Sequence, residues 1–429
     1  MIPVESPRIG SIAFILTLFA MVVPVLAEVP LPRAKPEEVG MSSERLALIG
    51  AVLKQDIADG RIPGAVIAVA RRGKLVMFEA WGWRDKEAKL PMTTDAIFNI
   101  ASMTKPMTAA GLLLLYERGR VLMDDPLAQY FPGFADMRVA ARDASGEPTS
   151  ETVAAQRKIT VQDLLRHTSG IVYGGRGSTL VHKLYPEGSA AVSRMTGTEF
   201  VGKLSSLPLL HQPGTVWDYG FGIDLSGLII EAVTKQSLGA YLGENLWQPL
   251  GMTDTQFFLP PEKASRYAKP LAADPVTGKP QALAPDLTKP LGFECGGACA
   301  SSTASDYLRF ALMLMNGGRH EGKQILARKT VEYMLSNQIG PEVKNLIGNA
   351  DPTRAGFGFG LGLAVQTTPG IVKLLGSPGM FTWPGASGTD WWADPKEELA
   401  VVYLSAAPGP LRWVYRQKIN ALVYQALTD

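Results

Sequence analysis

Ser102-Met103-Thr104-Lys105 places a hydroxyl and an amine three residues apart, and an almost wholly apolar run over residues 107–115 follows it. On an α-helix, residues three apart share a face. A Ser Oγ and a Lys Nζ so placed can come within hydrogen-bond reach. A Ser hydroxyl is a weak nucleophile until a base takes its proton. A Lys is that base when burial or nearby positive charge lowers its pKa. The start of a buried helix offers both conditions, because a helix N-terminus carries partial positive charge. The plain alternative is a Ser N-cap followed by a solvated Lys, and S-x-x-K alone recurs by chance in long chains.

Working outward towards the N-terminus, Gly119 is placed to end the nucleophile helix. Pro106 lies near enough to its start to remove only an early hydrogen bond. Residues 65–70 and 75–81 are strand-like, and Arg71-Arg72-Gly73-Lys74 between them has turn chemistry. Together they predict a β-hairpin. Residues 42–59 predict an amphipathic helix with Leu46, Leu48, Ile49, Val52 and Leu53 in the core. Residues 9–26 are almost wholly apolar and lead to the small residue Ala27. This predicts a secretory signal over residues 1–27, cut after Ala27, and a secreted or periplasmic mature chain. An uncleaved anchor is the alternative, since the run approaches spanning length. No second membrane span is expected.

Working towards the C-terminus, residues 160–165 open a helix that His167-Thr168-Ser169-Gly170 closes. Further helices are predicted over 223–234, with Leu225, Leu228, Ile229 and Val233 as a face, and over 238–250 and 302–315. The polar stretch 141–158 and the Pro-rich stretch 260–290 read as surface loops. Residues 357–365, 388–393 and 398–405 are strand-like, and 411–427 predict a closing helix. The fold class is therefore α/β (α+β). An antiparallel five-stranded sheet is flanked by the terminal helices, with a mainly helical part inserted. Residues 28–429 read as one unit, with the sheet part at about 36–122 and 287–429 and the helical part at about 123–286.

The 429 residues carry a net charge of +2 with 46% hydrophobic content, which is ordinary for a globular protein. No basic run points to nucleic acid and no acidic tail is present. Cys295 and Cys299, set in Glu294-Cys295-Gly296-Gly297-Ala298-Cys299, are either a small disulfide loop or two buried thiols. They lack the further ligands of a zinc site. His167, His182, His211 and His320 form no H-E-x-x-H, so no metal is expected. There is no G-x-S-x-G elbow, and no Lys-Ser/Thr follows the glycines of residues 356–362, which excludes a phosphate loop.

Four segments together resemble the serine beta-lactamase superfamily: residues 99–106 around Ser102, Leu164-Leu165-Arg166-His167-Thr168-Ser169-Gly170, Gly227-Leu228-Ile229-Ile230-Glu231 and Gln248-Pro249-Leu250-Gly251-Met252. They run in family order through almost the whole mature chain. The resemblance is to the class C-like, penicillin-binding-protein branch, and within it to the family VIII carboxylesterases. It implies an active site between a sheet domain and a helical one. Ser102 would be the nucleophile, with Lys105 and Tyr219 handling the proton. His167 would be structural. The family's Y-x-N motif corresponds to Tyr219-Gly220-Phe221, with Phe where an Asn amide would meet a substrate amide. The K-T-G or H-x-G motif corresponds to Trp383-Pro384-Gly385, with Trp in place of the cation that holds a substrate carboxylate. Phe221, Trp383 and Gly385 would thus line the substrate site. The backbone N–H groups of Ser102 and Ala386 would form the oxyanion hole.

The resemblance implies no cofactor and a small-molecule substrate, an ester or a lactam. The first expectation is a carboxylesterase on small or short-chain esters. The alternatives are a beta-lactamase or D-alanyl-D-alanine carboxypeptidase-like enzyme, and a catalytically silent binding protein that keeps the fold.

Overall fold

In a computed structural model of the chain, residues 1–2, 30–282 and 285–429 are described. All but the first two residues of the expected signal lie outside them. Among the described residues no helix is long and apolar enough to cross a membrane.

The organising strand is β1 (Gly64–Arg71), buried at every residue. It turns into β2 (Lys74–Asp85) through Arg72 and Gly73. Both turn residues have positive φ, 52° and 71°, which matches the right-handed twist of the flanking strands. Beyond β2 lies β3 (Leu90–Pro91) at the sheet edge, where a proline removes no ladder hydrogen bond. The C-terminal part supplies β4 (Gly358–Phe359), β5 (Ala364–Val365), β6 (Phe381–Thr382), β7 (Asp390–Asp394) and β8 (Leu399–Ser405). The order across the sheet is β4-β5-β6-β7-β8-β1-β2-β3. Every pairing is antiparallel, with Ala65 opposite Ser405 and Arg71 opposite Leu399 at the centre.

Among the described residues, eight strands thus replace the expected five in this sheet. The stretch 357–365 is two strands rather than one, because Gly362 at φ 81° lets the run fold back on itself. β3 and β6 are two-residue strands, too short to show a period in sequence.

Five helices position the site: α1 (Ser43–Ala58), α2 (Thr104–Glu117), α3 (Gly222–Thr234), α4 (Ala304–Met315) and α5 (Leu411–Tyr424). Ser42 caps α1 by accepting from the Arg45 N–H at 3.2 Å. Leu46, Ile49 and Leu53 are buried, but Leu48 is 48% exposed, since it lies outside their stripe. Val52 is half-buried. Trp391 of β7 meets Tyr307 and Phe310 of α4, while its neighbour Trp392 stacks on Tyr424 of α5. Successive residues of a strand point to opposite faces, so α4 and α5 cover opposite faces of the sheet. α2 is buried continuously from Thr104 to Leu115 and packs on α3. A helix apolar all round needs such enclosure.

Two further expectations are corrected. Part of the stretch 141–158 is not loop, because Arg138–Arg142 and Pro148–Ala154 pair as a hairpin. The helix expected over 238–250 stays α-helical only over Leu238–Leu242, then widens to a π turn and tightens to a 3-10 turn at Gln248–Leu250. Pro249 lacks the N–H that an α-helical ladder would use.

A buried ionic chain ties α5 to the sheet. Arg354 pairs with Asp390 at 2.7 Å, and Arg416 pairs with Asp351 at 2.5 Å and donates to the Gly385 carbonyl at 2.6 Å. Removing one partner of such a pair strands a buried charge. Asp390→Ala is therefore expected to lower the unfolding free energy by about 3–5 kcal/mol, read by urea denaturation. An unchanged midpoint would contradict the buried pairing.

Candidate active site

Ser102 sits in a 3-10 turn, Ala101–Met103, that runs directly into α2. The turn is pinned from several sides. Asn99 Oδ1 accepts the Ala101 N–H at 2.8 Å. Thr104 Oγ1 donates to the Ala101 carbonyl at 2.7 Å and accepts from the Ala300 N–H at 3.1 Å. Tyr307 donates to the Met103 carbonyl at 2.7 Å. Ala101 itself has φ 43°, a strained value for a residue with a Cβ. Ser102 is partly exposed while its neighbours on both sides are buried. The turn thus presents one hydroxyl to a cleft of about 300 Å³, lined also by Tyr173, Arg176, Glu187, Tyr219 and Ala386.

Lys105 is fully buried below Ser102. Its Nζ donates to the Gly297 carbonyl at 2.5 Å and to the Tyr173 hydroxyl at 3.3 Å. It also lies 4.6 Å from the centre of the Tyr219 ring. Tyr173 in turn donates to Asp224 Oδ2 at 3.2 Å, and Asp224 Oδ1 accepts the Gly297 N–H at 3.0 Å. A closed ring of four groups results. Burial pushes the Asp224 carboxyl up, and the Lys105 charge opposes it most. Burial pushes the Tyr173 phenol well above its usual value, and Asp224 adds to this. Tyr173 therefore keeps its proton, donates a hydrogen bond to Asp224 and accepts one from Lys105.

Tyr219, just before α3, is 3% exposed and faces the same cleft. Its hydroxyl oxygen accepts from Trp383 Nε1 at 3.0 Å. Gly385 lies in the bend between β6 and β7. Its N–H donates to the Thr389 carbonyl at 2.9 Å. A Cβ there would stand 2.3 Å from the Ile100 carbonyl oxygen, so only glycine lets this strand end approach the Ser102 turn. Ala386 is exposed to the cleft beside Ser102.

The structure thus brings together Ser102, Lys105, Tyr219, Trp383, Gly385 and Ala386. It does not bring Phe221 to the cleft lining. Phe221 is fully buried one residue before α3, with its ring 4.3 Å from that of Tyr173 and 5.3 Å from that of Phe200. The Trp383 N–H is taken by Tyr219, so Trp383 supports the phenol. Cys295 and Cys299 are joined in a disulfide. Among the described residues no cluster of His, Cys, Asp or Glu could hold a metal. Reading the sequence missed Tyr173, Asp224 and Arg176. A faint signal existed for one of them, a carboxylate in the first turn of an otherwise apolar helix.

His167 is fully buried at φ 55° among Trp217, Tyr219 and Phe359. Neither ring nitrogen has a hydrogen-bond partner. Burial, and then Lys105, hold its pKa well below the usual value. His167 stays neutral and packs behind Tyr219.

A covered antiparallel sheet, a Ser-Lys pair at a buried helix start and a tyrosine facing them define a beta-lactamase-fold hydrolase. Residues 49–425 match the Beta-lactamase family, and the chain belongs to it. It is 35% identical to Protein Rv1367c of Mycobacterium tuberculosis (strain ATCC 25618 / H37Rv), over 80% of this chain and 86% of that one. It is 30% identical to Esterase EstB of Burkholderia gladioli, over 87% of this chain and 95% of that one. Among solved structures it resembles EstCE1, described as a hydrolase with promiscuous acyltransferase activity. That likeness has a TM-score of 0.71 and 25% identity, over 89% of this chain and 99% of that one.

The neutral His167 has a pH consequence. Its folded pKa is depressed, so below about pH 6.5 the unfolded chain binds the proton and the folded one does not. The stability it contributes is full above pH 6.5 and is lost as pH falls towards the folded pKa, at up to about 1.4 kcal/mol per unit. His167→Asn, which suits positive φ, removes this slope. The stability gap between wild type and variant is expected to shrink as pH falls below 6.5, measured by denaturant titration at several pH values. A constant gap would show that His167 protonates in the folded state.

Proposed function

We propose that this chain is a serine carboxylesterase acting on small or short-chain esters. The observation that carries the reading is the disposition of Lys105. As a free amine it has two N–H groups and one lone pair. Both N–H groups are committed, to the Gly297 carbonyl and the Tyr173 hydroxyl. The lone pair is left for the Ser102 hydroxyl, the proton donor on the same helix start.

Ser102 Oγ attacks the ester carbonyl carbon and passes its proton to Lys105. The oxyanion is held by the backbone N–H groups of Ser102 and Ala386, where two aimed donors are worth on the order of 3–4 kcal/mol each. The carbon–oxygen bond to the alcohol then breaks. Tyr219 passes the alkoxide a proton, which is replaced from Lys105. The phenol is oriented for this, because the Trp383 N–H occupies a lone pair of its oxygen and leaves the O–H free to aim elsewhere. Water attacks the acyl-enzyme by the same route and releases the acid. These groups supply every proton transfer, so the reading calls for no cofactor.

The ester preference is supported by Trp383 standing where a cation would hold a carboxylate, and by the 30% identity to EstB. A specific observation favours a second reading. Arg176, an exposed residue, lines the cleft beside Ser102; its guanidinium donates to the Ala350 carbonyl at 2.7 Å and lies over the Tyr219 ring, and its remaining N–H groups could meet a substrate carboxylate. That would suit a beta-lactamase or D-alanyl-D-alanine carboxypeptidase-like enzyme. Export to a secreted or periplasmic site is part of the proposal. The apolar run 9–26 ahead of Ala27 and the Cys295–Cys299 disulfide support it.

A side-by-side panel of p-nitrophenyl esters, a chromogenic cephalosporin and D-Ala-D-Ala peptides tests the assignment. The expected result is short-chain esters turned over fastest, and a loss on the order of 10³-fold or more in Ser102→Ala. Equal ester turnover by wild type and Ser102→Ala would sink the nucleophile. A cephalosporin opened faster than any ester would select the second reading.

A further inference from the structure

The loop Cys295-Gly296-Gly297-Ala298-Cys299 reaches the site through its backbone. The Gly297 carbonyl accepts Lys105 Nζ at 2.5 Å, and the Gly297 N–H is held by Asp224 at 3.0 Å. The Gly296 carbonyl accepts the Thr108 hydroxyl at 2.8 Å, one turn further along α2 than Lys105. The N–H groups of Ala298 and Cys299 both return to the Cys295 carbonyl at 3.1 Å. Ala298 lines the cleft with Ser102. Polar backbone groups of the loop therefore go to the helix that carries the base, to Asp224 or back to the loop itself.

The two glycines are required by space. A Cβ on Gly297 would stand 2.3 Å from Asp224 Oδ2, and one on Gly296 would stand 2.8 Å from Thr108 Cγ2. Their cost is freedom, since Gly-Gly is the least restrained dipeptide a backbone can have. A carbonyl that must stay fixed against a buried amine thus sits on the most mobile pair of residues available. The disulfide closes the loop around that pair, with both cysteines fully buried. A crosslink over so short a span gains least from chain entropy, so global stability is a poor account of it.

We propose that the Cys295–Cys299 disulfide is a positioning element for Lys105: it fixes the Gly297 carbonyl, and with it the direction of the Lys105 lone pair towards Ser102. Asp224 is its partner, holding the same residue from its other side through the Gly297 N–H. This rests on Lys105 being the base for Ser102. With the loop unlocked, Gly297 turns away. The ammonium form gains another orientation, and the amine spends part of its time off the nucleophile. Substrate binding changes little, because the large cleft-lining side chains of Tyr173, Arg176 and Tyr219 are not on the loop and the loop contributes only the small Ala298 to the lining.

The test compares wild type, Cys295→Ala with Cys299→Ala, Asp224→Asn and Lys105→Ala. It reads kcat and KM on a p-nitrophenyl ester, and the rate at which a fluorophosphonate labels Ser102 between pH 5 and 10. In the double-alanine variant kcat is expected to fall by about 10- to 100-fold, the loss that a misplacement of about 1 Å can cause. KM should stay within about twofold, and the rising limb of the labelling profile should move. Asp224→Asn is expected to show the same split, which keeps the test open if the cysteine variant does not fold. A double-alanine variant that folds, melts lower and keeps the wild-type kcat and labelling profile would overturn the proposal. If Lys105→Ala labels as fast as wild type, the base assignment itself falls, which is a distinct result.

Discussion

Lys105 carries its amine into a site with no exposure to solvent, and much of the architecture serves to hold it there. A buried amine needs a partner for each N–H, and its protonated form needs a counter-charge within reach. Gly297 and Tyr173 supply the first, and Asp224, fully buried in the first turn of α3, supplies the second. These groups come from three separate stretches of chain. Their meeting requires α2 to pack on α3, the turn after His167 to close on both, and the cysteine loop to be drawn in beneath. The four-group ring is therefore also a constraint on the fold.

The second layer of organisation is the approach of the sheet to the Ser102 turn. Gly385 lies against the Ile100 carbonyl with no room for a side chain, and Ser387 Oγ donates to the Asn99 carbonyl. The Arg416 guanidinium fixes the Gly385 carbonyl from behind and is itself held by Asp351. Ala386 is thereby placed beside Ser102 by buried charge as well as by strand geometry. Trp383, on the same segment, ties the sheet to Tyr219 across the cleft.

Much of this was legible in the sequence where the signal is local. The Ser102–Lys105 spacing, the Arg72-Gly73 turn and the Trp383-Pro384-Gly385-Ala386 segment can each be read from adjacent residues. What escaped is what depends on distant partners. Tyr173 meets Lys105 from 68 positions away, and nothing in its own neighbourhood marks it as polar-bonded. Phe221 occupies a motif position, yet its ring turns into the core because α3 begins at the next residue. The run 357–365 alternates glycine with apolar residues as one strand would, and period-two patterning does not register a reversal at Gly362. The disulfide could be argued from the spacing of Cys295 and Cys299, but its closeness to Lys105 could not.

Acyl transfer through Ser102 is the proposed step on which the roles of Lys105 and Tyr219 depend. The direct measurement is rapid acid quench of the enzyme during turnover of a p-nitrophenyl ester, followed by proteolysis and mass spectrometry. The acyl mass is expected on the peptide that contains Ser102, absent in Ser102→Ala and slower to appear when Lys105 is replaced. An acyl adduct on another residue, or steady turnover with the Ser102 peptide unmodified under every quench time, would contradict it.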